Sequence, residues 1–195
     1  RSREPRGISP PRLAVDRYGR SFSCPGGAIL AVNHTGYWDF VYGPIPAHFN
    51  GGRLVRFMAK KSIWQHKVAG FFMRGLKHIP VDRESGSASF REALKALKSG
   101  ELVGVFPEAT ISRSFELKEF KTGVARMALD AQVPIIPVIV WGVHRMWTKD
   151  HPKRLGRTKI PVIVRVGAPI SANGPVAQVM AMLQQTMTDQ LHAVQ

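Results

Sequence analysis

Apolar residues along this 195-residue chain follow two alternating periods. Short runs rich in Val, Ile and Leu read as strands: AILAVN at 28–33, LVRFMA at 54–59, LKHIPV at 76–81, LVGVFP at 102–107, PIIPVIVW at 134–141 and IPVIVRVG at 160–167. Between and after them, SIWQHKVAGFFMRG (62–75), ESGSASFREALKALKSG (84–100), KTGVARMALDAQ (121–132) and VAQVMAMLQQTMTDQLHAV (176–194) place apolar residues at helical spacing. Such alternation predicts an α/β fold, a single domain with a mostly parallel central sheet flanked by helices, occupying 26–195 after a lead-in at 1–25. Ser99-Gly100 and Gly123 punctuate helices. The stretch 109–121 fits neither period and follows a strand end, where α/β sheets carry their ligand-contacting loops.

Charge narrows the picture. With 28 Lys and Arg against 13 Asp and Glu, the net charge is +15, so the surface should attract an anion: nucleic acid, an anionic membrane or a phosphorylated substrate. Arg53, Arg56, Lys60, Lys61, Lys67, Arg74, Lys77 and Arg83 face only Asp82 across 53–83, and a second concentration runs from Arg145 to Arg165. No apolar stretch reaches the roughly 20 residues that a spanning helix needs. The chain begins with Arg rather than Met, so an anchor upstream of residue 1 is an open expectation. The single cysteine, Cys24, has no intrachain disulfide partner, which favours a reducing compartment, and no Cys/His spacing resembles a metal site.

The chemistry gathers in NHTGYWD, residues 33–39, directly after the run AILAV. In a continuous helix, His34 and Asp39 would stand roughly 140° apart. A strand ending at Asn33, a turn at Thr35-Gly36 and a helix starting near Tyr37 instead let Asp39 fold back to the His34 ring. The carboxylate then fixes the imidazole tautomer and leaves the other nitrogen as an acceptor, which makes His34 an oriented general base for a substrate hydroxyl. The competing reading is a histidine at a helix start, held by a capping aspartate.

Three further stretches accompany this one in order: GLKHIPVDR ending at Arg83, FPEAT at 106–110 and VPIIPV at 133–138. Together they resemble the glycerolipid acyltransferases typified by 1-acylglycerol-3-phosphate acyltransferase, whose first motif has the spacing H-x4-D. The resemblance runs from about residue 26 to about 142 and makes 26–195 an acyltransferase catalytic domain. It implies that His34, assisted by Asp39, deprotonates the hydroxyl of a lyso-lipid acceptor, which attacks the thioester of an acyl-CoA or acyl-carrier-protein donor. No metal and no further cofactor is implied, because a thioester is already activated. By the same resemblance Arg83 would bind the acceptor's anionic head, Glu108 and Thr110 would shape the acceptor pocket, and Lys60 and Lys61 would lie near its phosphate. This chain departs from the family's FPEGT at Ala109, where the Ala predicts a backbone without positive φ. It also has Ile111 where the family has Arg, which touches on the acceptor's head group.

Trp141, His144, Arg145, Trp147, Lys149 and Lys153 combine rings with cations, as membrane-surface segments do, whereas the FFM run at 71–73 reads first as core and second as an interfacial anchor. The expected site of action is the cytoplasmic side of the cell membrane, on an anionic surface, with peripheral attachment or an upstream anchor and no nucleic acid as partner. His48, His66, His78, His151 and His192 read as surface or core residues. Two rivals remain: the same chemistry on another lyso-lipid or a glycolipid, and a basic nucleic-acid-binding domain whose His34 and Asp39 are structural.

Overall fold

Runs that are apolar at every position, such as AILAV and IIPVIVW, satisfy themselves only in the middle of a sheet covered on both faces. The computed structural model describes residues 13–15, 26–82, 86–154 and 160–195, and in it those runs take that place. In chain order the elements are β1 (Leu13–Val15), β2 (Ala28–Val32), α1 (Asp39–Tyr42), α2 (Ile45–Phe49), β3 (Val55–Lys60), α3 (Lys67–Gly75), β4 (Ile79–Val81), α4 (Gly86–Lys98), β5 (Leu102–Val105), α5 (Gly123–Ala131), β6 (Ile135–Trp141), β7 (Val162–Val166) and α6 (Val176–His192). The seven strands form one sheet in the order β1-β7-β6-β2-β5-β3-β4. Every pairing is parallel except β6 with β7.

Side chains alternate across each strand and so divide the core in two. Ile29, Ala31, Val103, Val105, Ile135 and Ile139 pack beneath α4, α5 and α6. Ala28, Leu30, Val32, Leu102, Ile136, Val138 and Val140 face the opposite way, under Trp38, Phe40, Tyr42, Ala47 and Met146. Because β2, β3, β4 and β5 run parallel, their carboxyl ends share one edge, and the crevice outside such an edge is where α/β sheets bind ligands.

Several boundaries differ from the sequence-based expectation. The lead-in supplies β1, whose register with β7 joins residues about 150 positions apart in a way no local pattern signals. LKHIPV is strand only from Ile79, because Leu76 caps α3 and Lys77 turns the chain with φ 53°. The helix read over 62–75 is broken at the extended His66 into a 3₁₀ turn, Lys61–Gln65, and α3. Of the FFM run only Met73 is core, while Phe71 and Phe72 stand exposed.

Among the histidines, His78 is buried and its Nδ1 accepts the Phe57 N–H at 2.9 Å, while His144 is buried in a 3₁₀ turn after β6. Burial, helped by the nearby Arg56 and Arg145 charges, lowers both to about 4. The unfolded chain takes up these protons near pH 6.5 and the folded chain only near 4, so acidification through that window favours unfolding. Wild-type stability should fall by up to about 1.4 kcal/mol per pH unit through each ring. Thermal melts across this range should show a shallower slope for His78→Gln, and an unchanged slope would mean that His78 carries no such penalty.

Candidate active site

β2 ends against Asn33, which is fully buried and prolongs the ladder with its side chain. Its Nδ2 donates to the Val140 carbonyl at 3.1 Å, and its Oδ1 accepts the Val140 N–H at 2.7 Å. A carboxamide is the side chain that can copy a peptide group in this way. The next residue, His34, is thereby fixed at the carboxyl edge of the sheet.

Asp39 opens α1 and turns back toward the strand end. Its Oδ2 accepts the N–H groups of Thr35 and Gly36, each at 2.7 Å, and lies 3.1 Å from His34 Nδ1. Thr35-Gly36 is the expected turn, and the helix begins two residues later than Tyr37. Asp39 is completely buried, and burial pushes its carboxyl up from the usual range while His34 and the two amides pull it down. The His34 ring is one-fifth exposed, and among the described residues its Nε2 has no hydrogen-bond partner. Such a pair can hold the imidazole as its Nδ1–H tautomer with an open Nε2 lone pair, the arrangement a general base requires.

The loop after β5 grips the same histidine by its backbone. Glu108 Oε1 accepts the His34 N–H at 2.8 Å, and the Ser112 N–H donates to the His34 carbonyl at 2.7 Å. Glu108 Oε2 accepts the Lys118 N–H at 3.1 Å, so one buried carboxylate ties the two ends of its own loop to the histidine. Burial raises the Glu108 carboxyl, and these two amides work against that rise. A third clamp comes from beyond β6, where Thr148 Oγ1 donates to the Thr35 carbonyl at 2.6 Å and the Trp147 carbonyl accepts the Tyr37 N–H at 3.0 Å.

The imidazole also has a wall. Phe106 stacks on His34 with ring centroids 4.0 Å apart and planes 18° from parallel, and Phe57 stacks on Phe106 at 5.2 Å. Phe57 fits because residue 104 is glycine, where a Cβ would lie 2.7 Å from the Phe57 ring. Sequence reasoning gave no role to Asn33, Phe106, Ser112 or Thr148. Asn33 carried a signal, a carboxamide directly continuing an all-apolar strand, whereas Ser112 and Thr148 act through the backbone of residues far away in sequence.

The remaining expected residues are distributed as follows. Thr110 is exposed in the Glu108 loop. Lys60 ends β3 and Lys61 follows it, both exposed, with Lys61 Nζ 3.3 Å from Asp82 Oδ2. Arg83 lies outside the described residues. Trp141 packs its ring on the buried His144 at 4.6 Å, and Trp147 lies between the Tyr37 ring and Lys153, whose Nζ is 4.1 Å from the ring centre. A cavity of about 570 Å³ lies at the N-terminal ends of α4 and α5, lined by Arg91 and Arg126 among others, and His34, Asp39 and Glu108 are not part of its wall. Among the described residues no group of three His, Cys, Asp or Glu could hold a metal ion, and no helix is long and apolar enough to cross a membrane.

Ala109 corrects an expectation. Its φ is 54°, in the left-handed region, because a tight turn in which its N–H donates to the Phe106 carbonyl at 2.9 Å brings Glu108 inward. That conformation costs an L-residue about 1–2 kcal/mol, of which the greater unfolded-chain freedom of glycine would cancel part. Ala109→Gly should therefore raise the melting temperature by roughly 2 °C, read by calorimetry. A lower melting temperature would show that the Ala methyl contributes more than the strain it carries.

Comparison with known proteins agrees with this architecture. A model of the Acyltransferase family matches residues 15–141. A 1-acyl-sn-glycerol-3-phosphate acyltransferase of Bacillus subtilis (strain 168) is 33% identical over 120 residues, covering 60% of this chain and 56% of that protein. The enzyme of that name from Limnanthes douglasii is 31% identical over 120 residues, 60% of this chain and 42% of its own. The chain thus spans about half the length of these relatives. The crystal structure of the 1-acyl-sn-glycerophosphate acyltransferase of Thermotoga maritima superposes with a TM-score of 0.76 at 19% identity, covering 94% of this chain and 72% of that one, a likeness of fold.

Proposed function

This chain belongs to the acyltransferase family, and from that premise we propose that it transfers a fatty acyl chain from an acyl thioester to the free hydroxyl of a lysophosphatidic-acid-like acceptor. The observation that carries the reading is the His34–Asp39 pair, held at 3.1 Å on a loop clamped from three sides. His34 Nε2 takes the proton of the acceptor hydroxyl as its oxygen attacks the thioester carbonyl, and the buried Asp39 carboxylate steadies the imidazolium that forms. Collapse of the tetrahedral adduct breaks the C–S bond. The departing thiolate recovers the proton from Nε2, so an ester and a free thiol result and the histidine returns to its starting form. Acyl-CoA and acyl-carrier protein both supply such a thioester.

The test is thiol release from acyl-CoA over a panel of lyso-lipids. Release that requires lysophosphatidate supports the reading. Release with a larger head group or a glycolipid moves the acceptor, in keeping with Ala109 and Ile111 beside Glu108, and no acceptor-dependent release refutes acyl transfer.

β4, whose carboxyl end shares the sheet edge of His34, ends at Val81, and two residues on in the sequence comes Arg83, whose guanidinium would hold an acceptor phosphate through two parallel hydrogen bonds. Arg83→Lys should raise the acceptor KM at least roughly tenfold and leave the donor KM nearly unchanged. Equal changes in both constants would assign Arg83 to the donor or to the fold.

A further inference from the structure

A surface helix normally turns its apolar stripe to the core. In α3 the stripe faces the other way. Gly70 and Met73 are the buried positions, whereas Val68, Phe71, Phe72 and Leu76 are 73%, 68%, 55% and 40% exposed. The spacing i, i+3, i+4, i+8 sets these four on one side of the helix, about opposite the buried pair. The two Phe rings meet edge to face at 5.7 Å, so they form a single apolar ridge.

Charge indicates what the ridge meets. From Lys60 to Lys77 the sequence holds five cations, Lys60, Lys61, Lys67, Arg74 and Lys77, and no acidic residue. Lys67, Arg74 and Lys77 are exposed beside the ridge. An apolar ridge flanked by cations matches the boundary of a bilayer, where acyl chains lie beneath anionic headgroups. Trp141 and Trp147, by contrast, are engaged with rings and a cation of their own chain.

We propose that α3 is the contact by which this protein rests on an anionic bilayer, with Val68, Phe71, Phe72 and Leu76 entering the acyl boundary and Lys67, Arg74 and Lys77 at headgroup depth. The crossover from β3 to β4 contains α3, and those strands end on the same edge as His34 and Glu108. Docking through α3 would therefore bring that edge to the lipid surface, where a membrane-resident acceptor becomes reachable. The biological purpose rests on the acyl-transfer reading; the contact itself rests on exposure and charge.

The experiment is co-sedimentation of the purified chain with vesicles of phosphatidylcholine, alone or mixed with phosphatidylglycerol. Binding should require the anionic lipid and weaken with salt. Phe71→Ser/Phe72→Ser should lower the partition coefficient at least roughly tenfold, with an unchanged melting temperature and unchanged transfer to a short-chain, water-soluble acceptor. Arg145→Ala/Lys149→Ala/Lys153→Ala is the comparison variant. Unaltered binding by the Phe variant, loss confined to the comparison variant, absence of vesicle binding, or a wild-type dimer that the Phe substitutions dissociate would each overturn the proposal. Vesicle binding is scored without turnover, so a failed acyltransferase assay and a failed α3 contact are distinguishable.

Discussion

His34→Ala should abolish acceptor-dependent thiol release while the protein keeps its melting temperature. The ring is one-fifth exposed, and the contacts that organise its loop run through the His34 backbone, which alanine retains. General-base removal costs about 10²–10⁴ in rate. Asp39→Asn tests the partner separately. The carboxamide oxygen can still accept the Thr35 and Gly36 amides, and its NH2 can occupy the place of Oδ1, which is buried without a partner among the described residues. The fold should survive. The charge that steadies the imidazolium is lost, however, so a similar loss of about 10²–10⁴ is expected. Single-turnover rates at saturating acceptor are the measurement, and near-normal turnover in folded His34→Ala would sink the mechanism.

Glu108→Gln should act on stability and turnover together. Both carboxylate oxygens accept backbone N–H groups, from His34 at 2.8 Å and Lys118 at 3.1 Å, in a side chain only 3% exposed. Glutamine offers one oxygen and one NH2, so a buried amide must face another donor. A lost hydrogen bond to a charged group costs about 1.5–3 kcal/mol. When the orphaned amide is that of His34, the ring shifts from its place on Phe106, and kcat should fall at least roughly tenfold, since small misplacements of a catalytic group are costly. Denaturant melts and a kcat/KM analysis separate this role from direct acceptor contact, the role that the family resemblance implies. A raised acceptor KM with unchanged melting would restore Glu108 to the acceptor.

What was legible in the amino-acid order was local. β2, β5 and β6 are continuous apolar runs because both their faces are covered, and α4, α5 and α6 keep helical periodicity, so their existence and type could be read directly. The H-x4-D spacing needed one turn of chain between its members, a geometry that five residues determine by themselves. These features depend on neighbours within a few residues, and the parallel sheet then follows from their alternation.

Distant partners decided the rest. β1 exists because residues 13–15 find an edge on β7, and Asn33, Ser112 and Thr148 acquire their roles from groups up to 113 residues away. Glu108 turned out to be a clamp on the His34 backbone, and Ala109 took a positive φ, because the loop after β5 had to close against β2. Phe71 and Phe72 have the same composition as a core run, and whether they are core depends on what the helix packs against, which periodicity alone does not encode. The sequence by itself determined β2, β5, β6, α4, α5 and α6, their order and the H-x4-D spacing, since backbone sterics and side-chain period act over a few residues. Only the tertiary structure decided which apolar faces are covered and which backbone groups each polar side chain satisfies, because hydrophobic burial and hydrogen bonding are realised between segments that the chain brings together on folding.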